Sequence, residues 1–253
     1  MTTDQPSAPR TGAVTSLEDP PTFAPSATRF KDRRDAGRRL AALLEPYRGE
    51  RPLVVGIARG GVPVAAEVAR ALDAPLEVAV VRKIGAPQNP EYAIGALAEG
   101  GVHVIGERTV LALGVSREEL RTLIAQASEE LAERLARYRG DRKPLALAGR
   151  TAILVDDGLA TGRSALAAAI SLRKRGAARV ILAVPVASPQ AVHALQAEAD
   201  EVVCVETPAE LWAVGYWYED FCATSDEEVA ASLADGAPRA QDRDDPAPAP
   251  RPR

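Results

Sequence analysis

Two adjacent carboxylates, Asp156 and Asp157, close an apolar run at residues 151–155 and lead straight into Gly158-Leu159-Ala160-Thr161-Gly162-Arg163-Ser164. The glycines allow backbone N–H groups to converge on one anion, and Thr161 and Ser164 add hydroxyl donors. A helix starting after the loop would turn its positive end toward the same point. A phosphate monoester suits such a nest, but carboxylates that close would repel it unless something lay between. A sugar phosphate resolves the conflict, since ring hydroxyls can donate to Asp156 and Asp157 while the 5-phosphate occupies the loop. Rival motifs fail on spacing. A Walker loop requires G-x-x-x-x-G-K-[ST], whereas the stretch from Gly158 to Ser164 is one residue short and carries Arg163 in place of lysine. No dinucleotide G-x-G-x-x-G follows any predicted strand, and a phosphatase with an aspartyl nucleophile would need Asp-x-Asp spacing.

The elements that must position this loop follow from hydrophobic periodicity. Short continuous apolar runs alternate with helical patterns, which predicts βαβ units and an α/β fold: a mostly parallel twisted sheet flanked by helices. Strands are expected at 53–57, 76–81, 151–155, 179–184 and 201–205. A first helix begins at Asp32, with Ala36, Leu40 and Leu43 on one face, and others span 63–72, 164–175, 189–197 and 225–233. Ser116 and Glu119 form a capping box that opens a long amphipathic helix running to Arg139. A short hairpin is expected over 93–105 around Gly100-Gly101. The acid–glycine loop therefore joins the C-terminal end of a strand to the start of a helix, where open α/β sheets bind ligands.

The whole chain bounds what surrounds this core. Its 253 residues are 46% apolar, enough for one large domain with a genuine interior, and the net charge of −4 argues against a broadly nucleic-acid-binding surface. Cys204 and Cys222 are too few for a disulfide framework and read as buried free thiols, while His103 and His193 lie too far apart for a metal motif. No apolar h-region opens the chain and no stretch nears the length of a membrane span, so a cytoplasmic protein is expected. Residues 1–28 and 236–253, rich in Pro, Ala, Ser, Thr, Asp and Arg, are expected to be disordered tails around a domain at 29–235.

Residues 155–164 resemble the PRPP-binding signature of type I phosphoribosyltransferases, PRPP being 5-phosphoribosyl 1-diphosphate: an apolar strand, two acidic residues, then a short loop ending Thr-Gly-x-Ser. The resemblance covers most of residues 30–225. It implies displacement of pyrophosphate from the ribose by a nucleobase-like acceptor, in nucleotide salvage, with Mg²⁺ carried by the substrate and no dedicated protein site. Asp156 and Asp157 would hold the ribose hydroxyls and could touch the metal. Gly158, Ala160, Thr161, Gly162, Arg163 and Ser164 would fix the 5-phosphate. Arg59, Gly60 and Gly61 look like the family's pyrophosphate loop, and Arg82-Lys83 resembles the pair that precedes its mobile catalytic loop. Residues 84–101 are similar to the lid that closes over PRPP. Family members are often dimers, so a homodimer is the assembly the resemblance allows.

The resemblance is weaker on the acceptor side. Members acting on 6-oxopurines carry aspartate where this chain has Ala160, which disfavours hypoxanthine or guanine. Adenine-type members place a glutamate in the mobile loop, where Glu91 and Glu99 are candidates. Trp212, Tyr216, Trp217, Tyr218 and Phe221 crowd a hood expected at about 206–224, as a stacking platform for a base or as a satellite core. The helical insertion at about 106–140 matches no base-specific subfamily. A non-catalytic regulator that senses PRPP is the alternative reading.

Overall fold

The computed structural model describes residues 29–140 and 142–236; the expected tails, apart from Gly236, lie outside the described residues. The central sheet has five parallel strands in the order β2-β1-β6-β7-β8, namely Leu76–Ala79, Leu53–Ile57, Thr151–Val155, Arg179–Val186 and Glu201–Glu206. Its inner strands read as unbroken apolar runs because both faces are covered. Val54, Ile153, Val155, Ile181 and Ala183 face a layer built from α1 (Arg33–Leu44), α2 (Gly61–Leu72) and α7 (Asp226–Asp235). Leu53, Val55, Leu154, Leu182 and Val184 face α5 (Arg163–Lys174) and α6 (Pro189–Leu195). Strand alternation thus sends successive residues into two separate cores.

The chain leaves β1 through α2 toward one edge of the sheet and leaves β6 through α5 toward the other. Strands β1 and β6 are neighbours, with Val55 opposite Leu154 and Gly56 opposite Val155. Their C-terminal ends therefore flank the point where the direction of winding reverses, a crevice that open α/β sheets use for ligands.

Two expectations are corrected. The strand anticipated at 76–81 stops at Ala79, and from Val81 the chain enters a second, antiparallel sheet of β3 (Val81–Ala86), β4 (Asn89–Ala98) and β5 (Val102–Ile105). Most of the open loop anticipated at 84–101 is consequently a hairpin. Alternation with one register break explains it: Ile84 and Leu97, joined by Ile94 at the bulge, enter the core that contains Ala127 and Leu131 of α4 (Arg117–Arg139), whereas Ala96 and Ala98 pack with Ala167 of α5. Where Pro90 crosses β3 the pairing becomes irregular, and only glycine fits at position 85, since a Cβ there would lie 2.3 Å from the Pro90 carbonyl oxygen.

The insertion consists of a short helix α3 (Glu107–Ala112) and α4, whose capping box is present as expected, with Ser116 and Glu119 each bonding the other's backbone N–H. A buried charge network at the end of α4 fastens these pieces to the main sheet. Arg139 donates to Glu77 of β2, to the Val78 carbonyl and, through two nitrogens, to Glu99 after β4; Arg175 donates to Glu99 as well. Burial raises the Glu99 carboxyl, but Arg139 and Arg175 outweigh it and hold the group below the usual carboxylate range.

Candidate active site

The two glycine-containing loops meet at the β1–β6 crevice. The loop after β1 packs directly on the acidic pair that follows β6: a Cβ on Gly60 would fall 2.0 Å from Oδ2 of Asp157, and one on Gly61 would fall 2.6 Å from the Val155 carbonyl oxygen. Glycine at both positions lets backbone of one loop approach carboxylates of the other, with Arg59 at the outer edge. The peptide bond between Ala58 and Arg59 is cis.

The loop after β6 is pinned from behind, by Leu159 N–H to the Val186 carbonyl (2.9 Å), Ser188 N–H to the Leu159 carbonyl (2.9 Å) and the Ser188 hydroxyl to the Ala160 carbonyl (2.9 Å). Its front is left to Ala160, Thr161 and Arg163, which are exposed, and Ser164, which is half-buried. Gly162 takes φ +70° to turn the chain into α5. Asp32, Ser116, Ser188 and Ser225 cap α1, α4, α6 and α7, whereas among the described residues no side chain caps the starts of α2 or α5. The short α3 also lacks a side-chain cap, and in α2 the Val62 N–H is taken by the Arg59 carbonyl at 3.1 Å; the positive ends of α2 and α5 nonetheless face the crevice without a capping side chain.

The carboxylates differ in their surroundings. Burial pushes Asp156 well above the usual carboxylate range, and the neighbouring Asp157 charge adds to the shift; its Oδ1 accepts the Asp157 N–H at 2.9 Å. Burial also raises Asp157, but Arg33 pulls it back. This arginine, on the first turn of α1, donates from Nε and Nη2 to the same Asp157 oxygen, each at 2.8 Å, and from Nη1 to the Cys222 carbonyl at 2.7 Å. Its guanidinium lies 3.9 Å from the centre of the Phe221 ring, and the Tyr218 hydroxyl donates to the Asp157 carbonyl at 2.6 Å. A residue 124 positions away in sequence therefore sets the charge and orientation of Asp157, leaving Oδ1 outside that contact. Nothing in the local sequence around Arg33 marks this role; only the clustering of aromatics at 211–221 hinted that the hood reaches the site.

Arg82 and Lys83 stand on opposite faces of β3. Arg82 points to α4, where it pairs with Glu130, and burial together with nearby Arg134 lowers its pKa. Lys83 lies opposite Ala96 and shares the α5-facing side with Val81. The hairpin touches the phosphate-loop end of α5 through Arg163, which donates to the Ala93 carbonyl at 3.2 Å. Of the two loop glutamates, Glu91 is exposed near the hairpin tip and Glu99 is committed to Arg139 and Arg175.

The hood aromatics divide. Trp217 and Tyr218 are buried with Phe30 in a small third core, while Trp212 and Tyr216 are 65% and 50% exposed. The N-terminal segment completes this hood, since Phe30 N–H donates to the Trp217 carbonyl and Glu219 N–H to the Phe30 carbonyl, both at 2.8 Å. Cys222, expected buried, is exposed because it sits on the hood's outer turn, and Cys204 is half-buried; both are free thiols. Beside the hood, a polar cavity of about 230 Å³ opens among Arg33, Arg34, Pro63, Asp220 and Thr224. Among the described residues no three His, Cys, Asp or Glu side chains gather to hold a metal, and no helix is long and apolar enough to cross a membrane.

The family model described as phosphoribosyl transferase domain matches residues 27–220. Two curated relatives from Mycobacterium tuberculosis, strains CDC 1551 / Oshkosh and H37Rv, are named provisionally as phosphoribosyl transferases. Each is 46% identical over 204 residues, covering 81% of this chain and 46% of the relative. The chain thus spans about half the length of the curated relatives it matches. The crystal structure of TT1426 from Thermus thermophilus is 46% identical, with a TM-score of 0.71 over 83% of this chain and 100% of that one.

Proposed function

Since the chain belongs to the phosphoribosyl transferase domain family, we propose that it transfers the 5-phosphoribosyl group of PRPP to a nitrogenous base with release of pyrophosphate. The observation that carries this reading is the convergence, at the β1–β6 switch point, of two loops leading into uncapped helix starts with an acidic pair between them. That arrangement supports a ligand with an anion at each end and a diol in the middle. Thr161, Gly162, Arg163 and Ser164 would hold the 5-phosphate, and Arg59, Gly60 and Gly61 the diphosphate. Asp156 and Asp157 would accept from the ribose hydroxyls and offset positive charge developing on the ring as the leaving group departs. Clamping the 5-phosphate and the diol fixes C1 for attack. Lys83, on the α5 side of β3, would be the cation that assists the diphosphate; Arg82, paired with Glu130, would need to leave α4 to join it.

The acidic pair also fits a divalent ion. Burial, then the Asp157 charge, raises Asp156, and a metal arriving with the diphosphate would relieve the repulsion between the two carboxylates without a protein cage. Mg²⁺ bound there would supply charge neutralisation for the diphosphate, with Asp156 and Asp157 as the residues that hold it. On the acceptor side, Ala160 argues against a 6-oxopurine.

The test is pyrophosphate release from PRPP and Mg²⁺ across a panel of nucleobases. Release with at least one base is expected, and none with any base would refute transferase activity. Saturable PRPP binding without turnover would instead favour a PRPP-sensing regulator. Within the active panel, Asp157→Asn is expected to lower turnover and Ser164→Ala chiefly to raise the KM for PRPP. Parent-like PRPP binding by both variants would refute the loop assignments.

A further inference from the structure

Beyond the proposed site, Arg59 is tied to a second cluster on the other side of the diphosphate loop. Its Nη1 lies 3.9 Å from Oδ1 of Asp226, the first residue of α7. The same carboxylate accepts the Tyr138 hydroxyl at 2.7 Å on Oδ1 and Arg137 on Oδ2, both from the end of α4. Tyr138 is buried against the main core, and burial followed by Asp226 pushes its hydroxyl up to about 12, so it stays a hydrogen-bond donor. The Tyr138 hydroxyl, then Arg137, keep Asp226 below the usual carboxylate range and hence charged near neutral pH. Ser225 caps α7, so Asp226 is not required as the cap.

Asp226 is thus an anion fixed by the insertion helix and aimed at the one cation of the diphosphate loop. A diphosphate arriving at residues 59–61 must draw on Arg59, which the Asp226 charge holds. We propose that Asp226, held by Tyr138 and Arg137, is a positioning residue that parks Arg59 away from the diphosphate subsite and tunes the affinity for diphosphate-bearing ligands. This inference rests on the assignment of residues 59–61 to the diphosphate, and it gives the 106–140 insertion a task in the site: α4 sets Asp226, and Asp226 sets Arg59.

The experiment measures binding of ribose 5-phosphate, PRPP and inorganic pyrophosphate, each with Mg²⁺, by titration calorimetry on the full chain. The proteins are the parent, Asp226→Asn, Arg59→Ala and the double variant. Asp226→Asn keeps one acceptor oxygen, for Tyr138, and removes the charge together with the second acceptor that Arg137 uses. It is expected to bind PRPP and pyrophosphate about two- to fivefold tighter, the range for releasing a loose, solvent-exposed ion pair, with ribose 5-phosphate unchanged. In the Arg59→Ala background the gain should vanish. An equal change for all three ligands, no change, or the same gain without Arg59 would overturn the parking role. Failure of the parent to bind either ribose 5-phosphate or PRPP would instead sink the donor assignment, and this inference with it.

Discussion

Replacing Arg33 with methionine removes the counter-ion of Asp157 while keeping most of the apolar stem. The two side chains are only 12% and 15% exposed, so the variant leaves a carboxylate that is largely withdrawn from water, beside Asp156 and without its partner. Breaking a buried ion pair from one side costs about 3–5 kcal/mol. The residual exposure sets the expectation at the lower end, about 3 kcal/mol, or roughly 6–12 °C in Tm for a domain of this size. The pH dependence follows from the sign of the shift. Arg33 lowers Asp157 against the raising effect of burial, so without it the folded-state value climbs further above the unfolded value of about 3.9. A carboxylate raised in this way destabilises the fold when ionised, and the penalty disappears as pH falls below the unfolded value. The deficit of Arg33→Met should accordingly be largest at pH 8 and shrink toward pH 4. Urea unfolding of the parent, Arg33→Met, Asp157→Asn and the double variant checks both points. A coupling of about 1.5–3 kcal/mol is expected between the two positions. Additive losses within about 0.5 kcal/mol, or a deficit independent of pH, would refute the claim that Arg33 acts on Asp157 electrostatically.

Asp156→Asn should stabilise the ligand-free protein at pH 8, by about 1.4 kcal/mol for each unit by which burial and Asp157 raise the carboxyl, and the gain should fade toward pH 4; thermal melts at both pH values read it. Gly60→Ala should weaken PRPP binding at least tenfold, because its Cβ cannot coexist with Asp157 Oδ2 at 2.0 Å, while overpacking costs about 1–3 kcal/mol of stability; calorimetry and melts separate the two. Glu99→Gln leaves Arg175 without its charge partner and Arg139 with Glu77 alone, and should cost about 2–3 kcal/mol, with amides of β4 and β5 exchanging faster than those of β6 and β7 by hydrogen-exchange mass spectrometry.

Local signals carried much of this structure. The parallel strands were legible because both their faces are buried, so apolar runs such as Leu53–Ile57 and Thr151–Val155 stand out without alternation. The capping box at Ser116 marked the start of α4 to the residue. The hairpin after Val81 was hidden by Gly85, Pro87, Asn89 and Pro90, which read as loop signals but here make a tight turn and an irregular crossing within paired strands. The contacts of Arg33 and Asp226 were hidden for another reason. Each is made between elements about 90 or more residues apart, by side chains whose own neighbourhoods look like ordinary charged helix starts.

The charge pattern of the crevice explains why a domain with so apolar a sheet tolerates two adjacent acids at its centre. The two are served unequally: Arg33 reaches Asp157 directly from the hood, whereas Asp156 accepts the Asp157 N–H and feels Arg33 more weakly, which together do not offset burial and its neighbour's repulsion. A fold selected for stability alone would neutralise both, since a lone buried carboxylate costs free energy that one more arginine or an amide would recover. Leaving Asp156 without a direct counter-ion keeps an electrostatic deficit that a metal–diphosphate ligand or a ribose diol can relieve, so part of the binding free energy comes from ending a repulsion already present in the free protein. Arg59 shows the opposite arrangement: its pairing with Asp226 steadies the empty site and must be given up when a diphosphate arrives. The two effects oppose each other, and their sizes decide the outcome. A loose, partly exposed pair at 3.9 Å is worth at most about 1 kcal/mol, so its opposition is small. On the proposed assignments, a ligand that reaches the acidic pair would relieve its repulsion, and the pair at Arg59 would trim that gain only where a diphosphate is present.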